Sequence, residues 1–227
     1  MLILEKINYK KKSHFLLNDV SGRIERGDSV TIFGPNGAGK STLMQIMAGI
    51  LKPTKGKRQL ATVKNNPIGY VPQQLALFDR LTVKEHLLFY EKITKQKNVD
   101  YIEEMIEVLE LKPIMKKRID KLSGGMKRKV NLAVGIIHQP EIIFLDEAFV
   151  GVDLAAKFDM INWLRRLNER GVTIVFVTHD WNVIHKLAKN MWILDNGRLI
   201  NQLSIDEIDV INYRNMSVPL QKMFEAN

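Results

Sequence analysis

Ser29-Val30-Thr31-Ile32-Phe33-Gly34-Pro35-Asn36-Gly37-Ala38-Gly39-Lys40-Ser41-Thr42 is the stretch on which the fold turns. Ser29 to Phe33 reads as a short buried strand, and a helix is expected from about Lys40. Between them, Gly34 to Ser41 matches GxxxxGKS in the strand–loop–helix setting that gives the pattern its meaning. Glycines are needed where backbone N–H groups converge on phosphate oxygens, because side chains would collide there. The helix start adds the positive end of its dipole. Lys40 would reach β- and γ-phosphates, and the Ser41 hydroxyl would ligate Mg2+. The loop Gly34, Pro35, Asn36, Gly37, Ala38, Gly39, Lys40, Ser41 and Thr42 is therefore expected to cradle nucleotide phosphates.

Upstream of this loop, Leu2, Leu4 and Ile7 read as a first strand and Val20 to Ile24 as a second, with a turn at Glu25 to Asp28. Downstream, Leu75 to Ile119 carries helical patterns. Leu81, Glu85, Leu88, Phe89 and Ile93 mark one helix face, with Thr82 as N-cap and Glu85 completing a capping box. Tyr101, Met105, Val108, Leu109 and Leu111 mark another, ended near Pro113. Strand–helix alternation then follows. Val130 to Ile137 is helical, Glu141 to Leu145 a strand, Leu154 to Arg170 a helix, Val172 to Thr178 a strand and Trp181 to Ala188 a helix. Met191 to Leu194 and Arg198 to Gln202 form a hairpin closed by Asn196-Gly197. Such alternation implies parallel βαβ units with ligands at the carboxyl ends of strands. From Ile205 the tail has weak amphipathic character and is read as a helix.

The chain has 227 residues, 45% of them hydrophobic, enough to bury a substantial core. It contains no cysteine, which excludes disulfides and thiolate metal sites and fits a reducing compartment. The net charge of +9 favours an anionic partner or ligand. Lys116, Lys117, Arg118, Lys121, Lys127, Arg128 and Lys129 are opposed only by Asp120. That run reads either as a solvated helix face or as a surface for membrane headgroups or an acidic partner. No run approaches the roughly 18 to 20 apolar residues of a membrane span, and the start lacks the pattern of a signal peptide. Contact with a membrane is thus expected through a partner.

Ile142-Ile143-Phe144-Leu145-Asp146-Glu147 ends an apolar strand in two acids. Asp146 is placed to hold Mg2+, directly or through water, and Glu147 to polarise an attacking water as general base. Ser123-Gly124-Gly125-Met126, preceded by Leu122 and followed by Lys127-Arg128, opens a helix and offers a second anion-binding N-terminus. One lysine-bearing loop and one separate glycine-rich helix start give two places for a single triphosphate.

Together these motifs resemble the nucleotide-binding domain of ABC transporters, whose signature usually reads Leu-Ser-Gly-Gly-Gln. The resemblance runs from about Leu2 to Gln202. It implies an α/β fold with a P-loop NTPase core, an N-terminal antiparallel β subdomain and an inserted α-helical subdomain. The whole chain, 1–227, would be one such domain, with 75–135 as helical subdomain and signature region and 205–227 as C-terminal tail. ATP and Mg2+ would be its ligands.

The resemblance also assigns roles. Tyr9 is similar to the aromatic residue that stacks on adenine, with Phe15 as its rival. Gln73 is similar to the glutamine that senses magnesium, and Asp153 to the loop residue that crosses a dimer interface. His179 is similar to the switch histidine on the γ-phosphate. Glu147, His179, Lys40 and Gln73 would be catalytic, and Ser41, Gln73 and Asp146 would hold the metal. Ser123, Gly124, Gly125 and Met126 would cover nucleotide held by another subunit.

The implied assembly is a head-to-tail homodimer, or a pair with a related nucleotide-binding subunit. It would dock through Gln74 to Ile93 on an integral membrane permease at the cytoplasmic face of the cell membrane, peripherally, with no nucleic-acid partner. Met-Lys-Arg after the glycines, and no C-terminal regulatory domain, resemble exporter cassettes. Met126 replaces the usual glutamine, and Ala148 stands where proline often follows the catalytic acid. Neither departure removes a charge that hydrolysis requires. An ABC-type ATPase serving assembly, DNA or ribosome work is the competing reading. A phosphate-loop kinase is disfavoured because it leaves the signature and His179 unexplained.

Overall fold

In chain order the computed structural model contains β1 (Leu2–Lys11), β2 (His14–Ile24), β3 (Ser29–Phe33), α1 (Lys40–Met47), β4 (Lys55–Leu60), β5 (Ile68–Val71), α2 (Val83–Thr94) and α3 (Val99–Val108). After these come α4 (Gly124–Ile136), β6 (Ile142–Asp146), α5 (Leu154–Glu169), β7 (Thr173–Val177), α6 (Trp181–Leu187), β8 (Asn190–Asp195), β9 (Arg198–Ser204) and α7 (Val218–Glu225). The structure describes residues 1–64, 67–95, 98–210 and 216–225. These form two compact units, Met1–Thr62 with Val175–Asn227 and Val63–Ile174, and the division falls inside β7.

In the first unit, β2, β1 and β4 form an antiparallel sheet in that order. Alternation, reset by irregularities at Lys6 and Asp19, sends Leu2, Leu4 and Ile7 of β1, with Leu17, Val20 and Ile24 of β2, into the interior. β4, Lys-Gly-Lys-Arg-Gln-Leu, is an edge strand whose side chains are mostly exposed, so it carried no hydrophobic pattern to read. β3 is buried along its whole length and pairs in parallel with β8, as a strand covered on both faces should. β8 returns antiparallel as β9 through Asn196 and Gly197, whose φ values of 47° and 74° are the left-handed pair that a tight hairpin demands. The tail contains a short 3-10 turn, Ile205–Val210, and then α7.

In the second unit, β5 and β6 pair in parallel, Ile68 opposite Ile142 through Val71 opposite Leu145. α4 and α5 are tied by a largely buried Lys129–Asp159 ion pair, and α3 and α5 by Glu104 with Arg166 and Arg170. Thr82 caps α2 and Glu85 closes the capping box. The buried face of α2, however, is Val83, His86 and Leu87, whereas Leu88 (43%), Phe89 (43%) and Ile93 (61%) are exposed. The apolar stripe read from the sequence is the outer one.

His86 is tolerated inside because both ring nitrogens are used. Nε2 accepts from Phe78 N at 2.8 Å, which leaves the proton on Nδ1 to donate to Thr82 O at 3.2 Å. Residues 115–120, a turn that leads through a single bridge residue, Arg118, into a 3-10 turn, run beside 79–84. Carbonyls of Lys117 and Met115 take the N–H groups of Val83 and Lys84, two donors that a helix start leaves without intrahelical partners. The basic run is therefore split between this turn segment, carrying Lys116 to Arg118, and α4, carrying Lys127 to Lys129.

Candidate functional site

In the first unit the expected cradle follows β3 directly. Gly34 has φ 153°, and a Cβ there would lie 2.0 Å from the Leu194 carbonyl oxygen, so nothing larger than glycine fits. Gly37 and Gly39 have φ 84° and 100°, which turn the loop back onto the start of α1. Gly39 caps that helix with no side-chain hydrogen bond. The arrangement suits an anion on backbone donors.

Lys40 is 6% exposed, a buried cation at the mouth of its helix. Its Nζ donates to the carbonyls of Gly34 at 2.7 Å and Pro35 at 2.9 Å. Ser41 and Thr42 follow in the first turn, half-buried, while Asn36 is exposed and Ala38 buried. Tyr9 sits in β1 opposite Leu17 and is half-buried. Phe15 is 64% exposed, with the Lys10 ammonium 5.2 Å from its ring centre. His179 is exposed after β7, and Asp180 beside it caps α6.

In the second unit Asp146 ends β6, buried, and its Oδ2 accepts from the Tyr70 hydroxyl at 3.3 Å. Glu147 follows with φ 49°, a left-handed conformation that costs a non-glycine residue about 1–2 kcal/mol. Its Oε2 accepts from Gln73 Nε2 at 2.6 Å. The Gln73 carbonyl in turn accepts from Arg128 at 2.6 Å. Burial holds the Arg128 guanidinium below its ordinary value, and the charge of Glu147 pulls the other way.

Gln73, Glu147 and Arg128 are thus one connected group. Arg128 and Tyr70 were not singled out from the sequence. Tyr70 reaches Asp146 because β5 runs in register beside β6, and Arg128 reaches Gln73 through the packing of α4; neither relation leaves a spacing signal.

Ser123 Oγ caps α4 by accepting from Met126 N at 3.3 Å. Asp153 Oδ1 caps α5 by accepting from Ala156 N at 2.9 Å. The two caps meet: a Cβ on Gly125 would come within 2.3 Å of Asp153 Oδ2. Glycine at 125 is what lets the signature helix start approach the Asp153 loop. Among the described residues no three His, Cys, Asp or Glu side chains gather as a metal cluster. Magnesium at phosphate sites takes one or two protein oxygens and fills its shell with phosphate and water, so Ser41 and the buried Asp146 are donors of the fitting type.

A glycine–lysine phosphate loop after a buried strand, in a chain that also presents a serine-capped glycine helix start, defines a P-loop ATP-binding protein of the signature-bearing kind. Residues 17–150 match the family described as ABC transporter, and the chain belongs to that family. It is an ABC ATPase, the ATP-binding subunit of a transporter.

A probable sulfate/thiosulfate import ATP-binding protein, CysA, from Chlorella vulgaris is 34% identical over 91% of this chain and 92% of its own length. The linearmycin resistance ATP-binding protein LnrL of Bacillus subtilis is 32% identical over 88% of this chain and 68% of its own. The dimeric post-hydrolysis structure of the ATP-binding cassette MJ0796, bound to ADP and Pi, is 27% identical. It superimposes with a TM-score of 0.79 over 90% of this chain and 99% of that one. No helix among the described residues is long and apolar enough to cross a membrane.

Proposed function

We propose that this subunit hydrolyses ATP at the interface of a head-to-tail dimer and so drives transport through a separate membrane permease. The observation that carries the reading is that one chain supplies one lysine phosphate loop and one serine-capped signature helix start. Each copy can then offer its signature to nucleotide on the other. Gly34 to Thr42 would hold the phosphates, with Lys40 on the β and γ groups, and Tyr9 would stack on adenine. Ser41, Asp146 and Gln73 would hold Mg2+, which supplies charge neutralisation at the phosphates when bound. Ser123, Gly124, Gly125, Met126 and Asp153 would face the nucleotide of the second copy.

Glu147 acts as general base toward the attacking water, and His179 contacts the γ-phosphate. The Gln73–Glu147 hydrogen bond supports a coupled role: releasing Gln73 frees the carboxylate to accept a proton. The exposed stripe Phe78, Leu88, Phe89 and Ile93 supports docking of the permease there, within the 75–135 helical part, at the cytoplasmic face of the membrane. The proposed direction is outward. One relative is named for import and another for resistance, and the Met126-Lys127-Arg128 continuation of the signature favours export.

Glu147→Gln tests the mechanism. Hydrolysis should slow by about a hundredfold or more, as loss of a positioned base does, while ATP still binds. Turnover like that of the wild type would remove Glu147 from the base role.

A further inference from the structure

Three rings meet in the first unit. The centroids of Phe33 and Trp181 are 5.0 Å apart, those of Phe33 and Phe224 5.3 Å, and those of Trp181 and Phe224 5.9 Å. All three pairs are tilted, within the range where ring quadrupoles attract. Trp181 Nε1 also donates to the Met223 carbonyl at 3.3 Å. Phe33 is 1% exposed and Phe224 7%, while Leu220, one turn earlier on α7, is fully buried. The C-terminal helix is therefore docked by its apolar face onto these two rings and latched to one of them by a hydrogen bond.

The place of each ring in the chain gives the cluster its meaning. Phe33 is the last residue of β3 and is bonded directly to Gly34. Trp181 is the first residue of α6, two positions after His179. The backbone between is short and pinned: Thr178 Oγ1 accepts from Asp180 N at 3.2 Å, and Asp180 Oδ1 accepts from Asn182 N at 2.9 Å. His179 itself is exposed, so burial does not hold it. Trp181, two positions on, brings the largest side chain of this turn. Phe224 closes the triangle that sets Trp181 against the residue from which the phosphate loop departs.

We propose that Trp181 and Phe224 are positioning residues for ATP hydrolysis, through which the C-terminal helix fixes His179 relative to the start of the phosphate loop. This rests on the reading of His179 as the γ-phosphate contact. Phosphate binding by loop N–H groups and Lys40 does not depend on that spacing, whereas the hydrolytic step does. The tail thus governs turnover and leaves nucleotide affinity alone.

The experiment is a cycle of Phe224→Ala and His179→Ala in the full chain, with ATP turnover at saturation and equilibrium ATP binding measured well below the melting temperature. Phe224→Ala should lower kcat by about tenfold or more, since a displacement of about 1 Å at a reacting group costs up to about a hundredfold. ATP affinity should stay the same, and Phe224→Leu, which keeps the helix docked, should recover most of the rate. In the His179→Ala background Phe224→Ala should cost nothing further. A kcat like the wild type's in Phe224→Ala, a parallel loss of ATP affinity, or additive losses in the double variant would overturn the proposal while leaving His179 in place. Normal turnover in His179→Ala would instead remove the reading on which it rests. If Phe224→Ala does not fold, Trp181→Leu, on the half-exposed side of the cluster, takes its place with the same expected outcomes.

Discussion

At the scale of single residues, the phosphate loop was legible because its chemistry restricts residue type at several positions together. Glycine at 34 is dictated by the Leu194 carbonyl, lysine at 40 by the need for a cation within reach of the loop. Gly34→Ala tests this. With a Cβ starting 2.0 Å from a backbone oxygen, the loop must move, and ATP affinity should fall by about tenfold or more in equilibrium binding. Affinity like the wild type's would mean that the loop has slack that the geometry does not show. Glu147 was legible as an acid after a strand, but its left-handed backbone was not, because no local rule puts glutamate there. Arg128 was legible as a charge of the basic run and as part of the Met-Lys-Arg continuation of the signature, but not as a partner of Gln73. Its hydrogen bond to Gln73 belongs to helix packing, which sequence spacing does not encode.

At the scale of elements, periodicity established that α2 exists and where it starts, yet not which side it buries. Its stripe of Leu88, Phe89 and Ile93 is strongly apolar and faces outward, while a histidine sits inside. A polar ring is a poor core candidate until its two partners, Phe78 N and Thr82 O, are known. That burial has a pH consequence. Burial lowers the pKa of His86, while its bond to the Thr82 backbone and the charge of Glu85 pull the other way. With an unfolded value near 6.5, the neutral form is favoured by folding, so the contribution is complete above about pH 6.5 and is lost as pH falls through the lowered folded value.

Urea midpoints taken from about pH 7.5 down to about pH 5 should therefore drop for the wild type, and less steeply for His86→Asn. Parallel curves would assign the acid sensitivity elsewhere. His138, whose pKa is also lowered by burial, contributes the same sign in both proteins.

At the scale of the whole molecule, the fold class was readable because strand–helix alternation and three motifs agreed. β4 was not, since an exposed basic edge strand has no hydrophobic alternation. Hydrolysis by the isolated chain should rise more steeply than linearly with protein concentration below the dimerisation constant. A rate per subunit that stays constant into dilute monomer would contradict a site shared between copies.

The division of the chain into units carries a different consequence, one about time. The second unit, Val63–Ile174, is continuous, whereas the first is assembled from both sides of it. During synthesis the ribosome delivers the glycine loop before the second unit, but β3 obtains its parallel neighbour β8, and Gly34 the carbonyl wall at Leu194, only after that unit has emerged. The second unit can mature first, and the capacity to hold nucleotide follows once β8 is made. A nascent chain is thus kept from completing the wall of its phosphate loop until β8 has emerged.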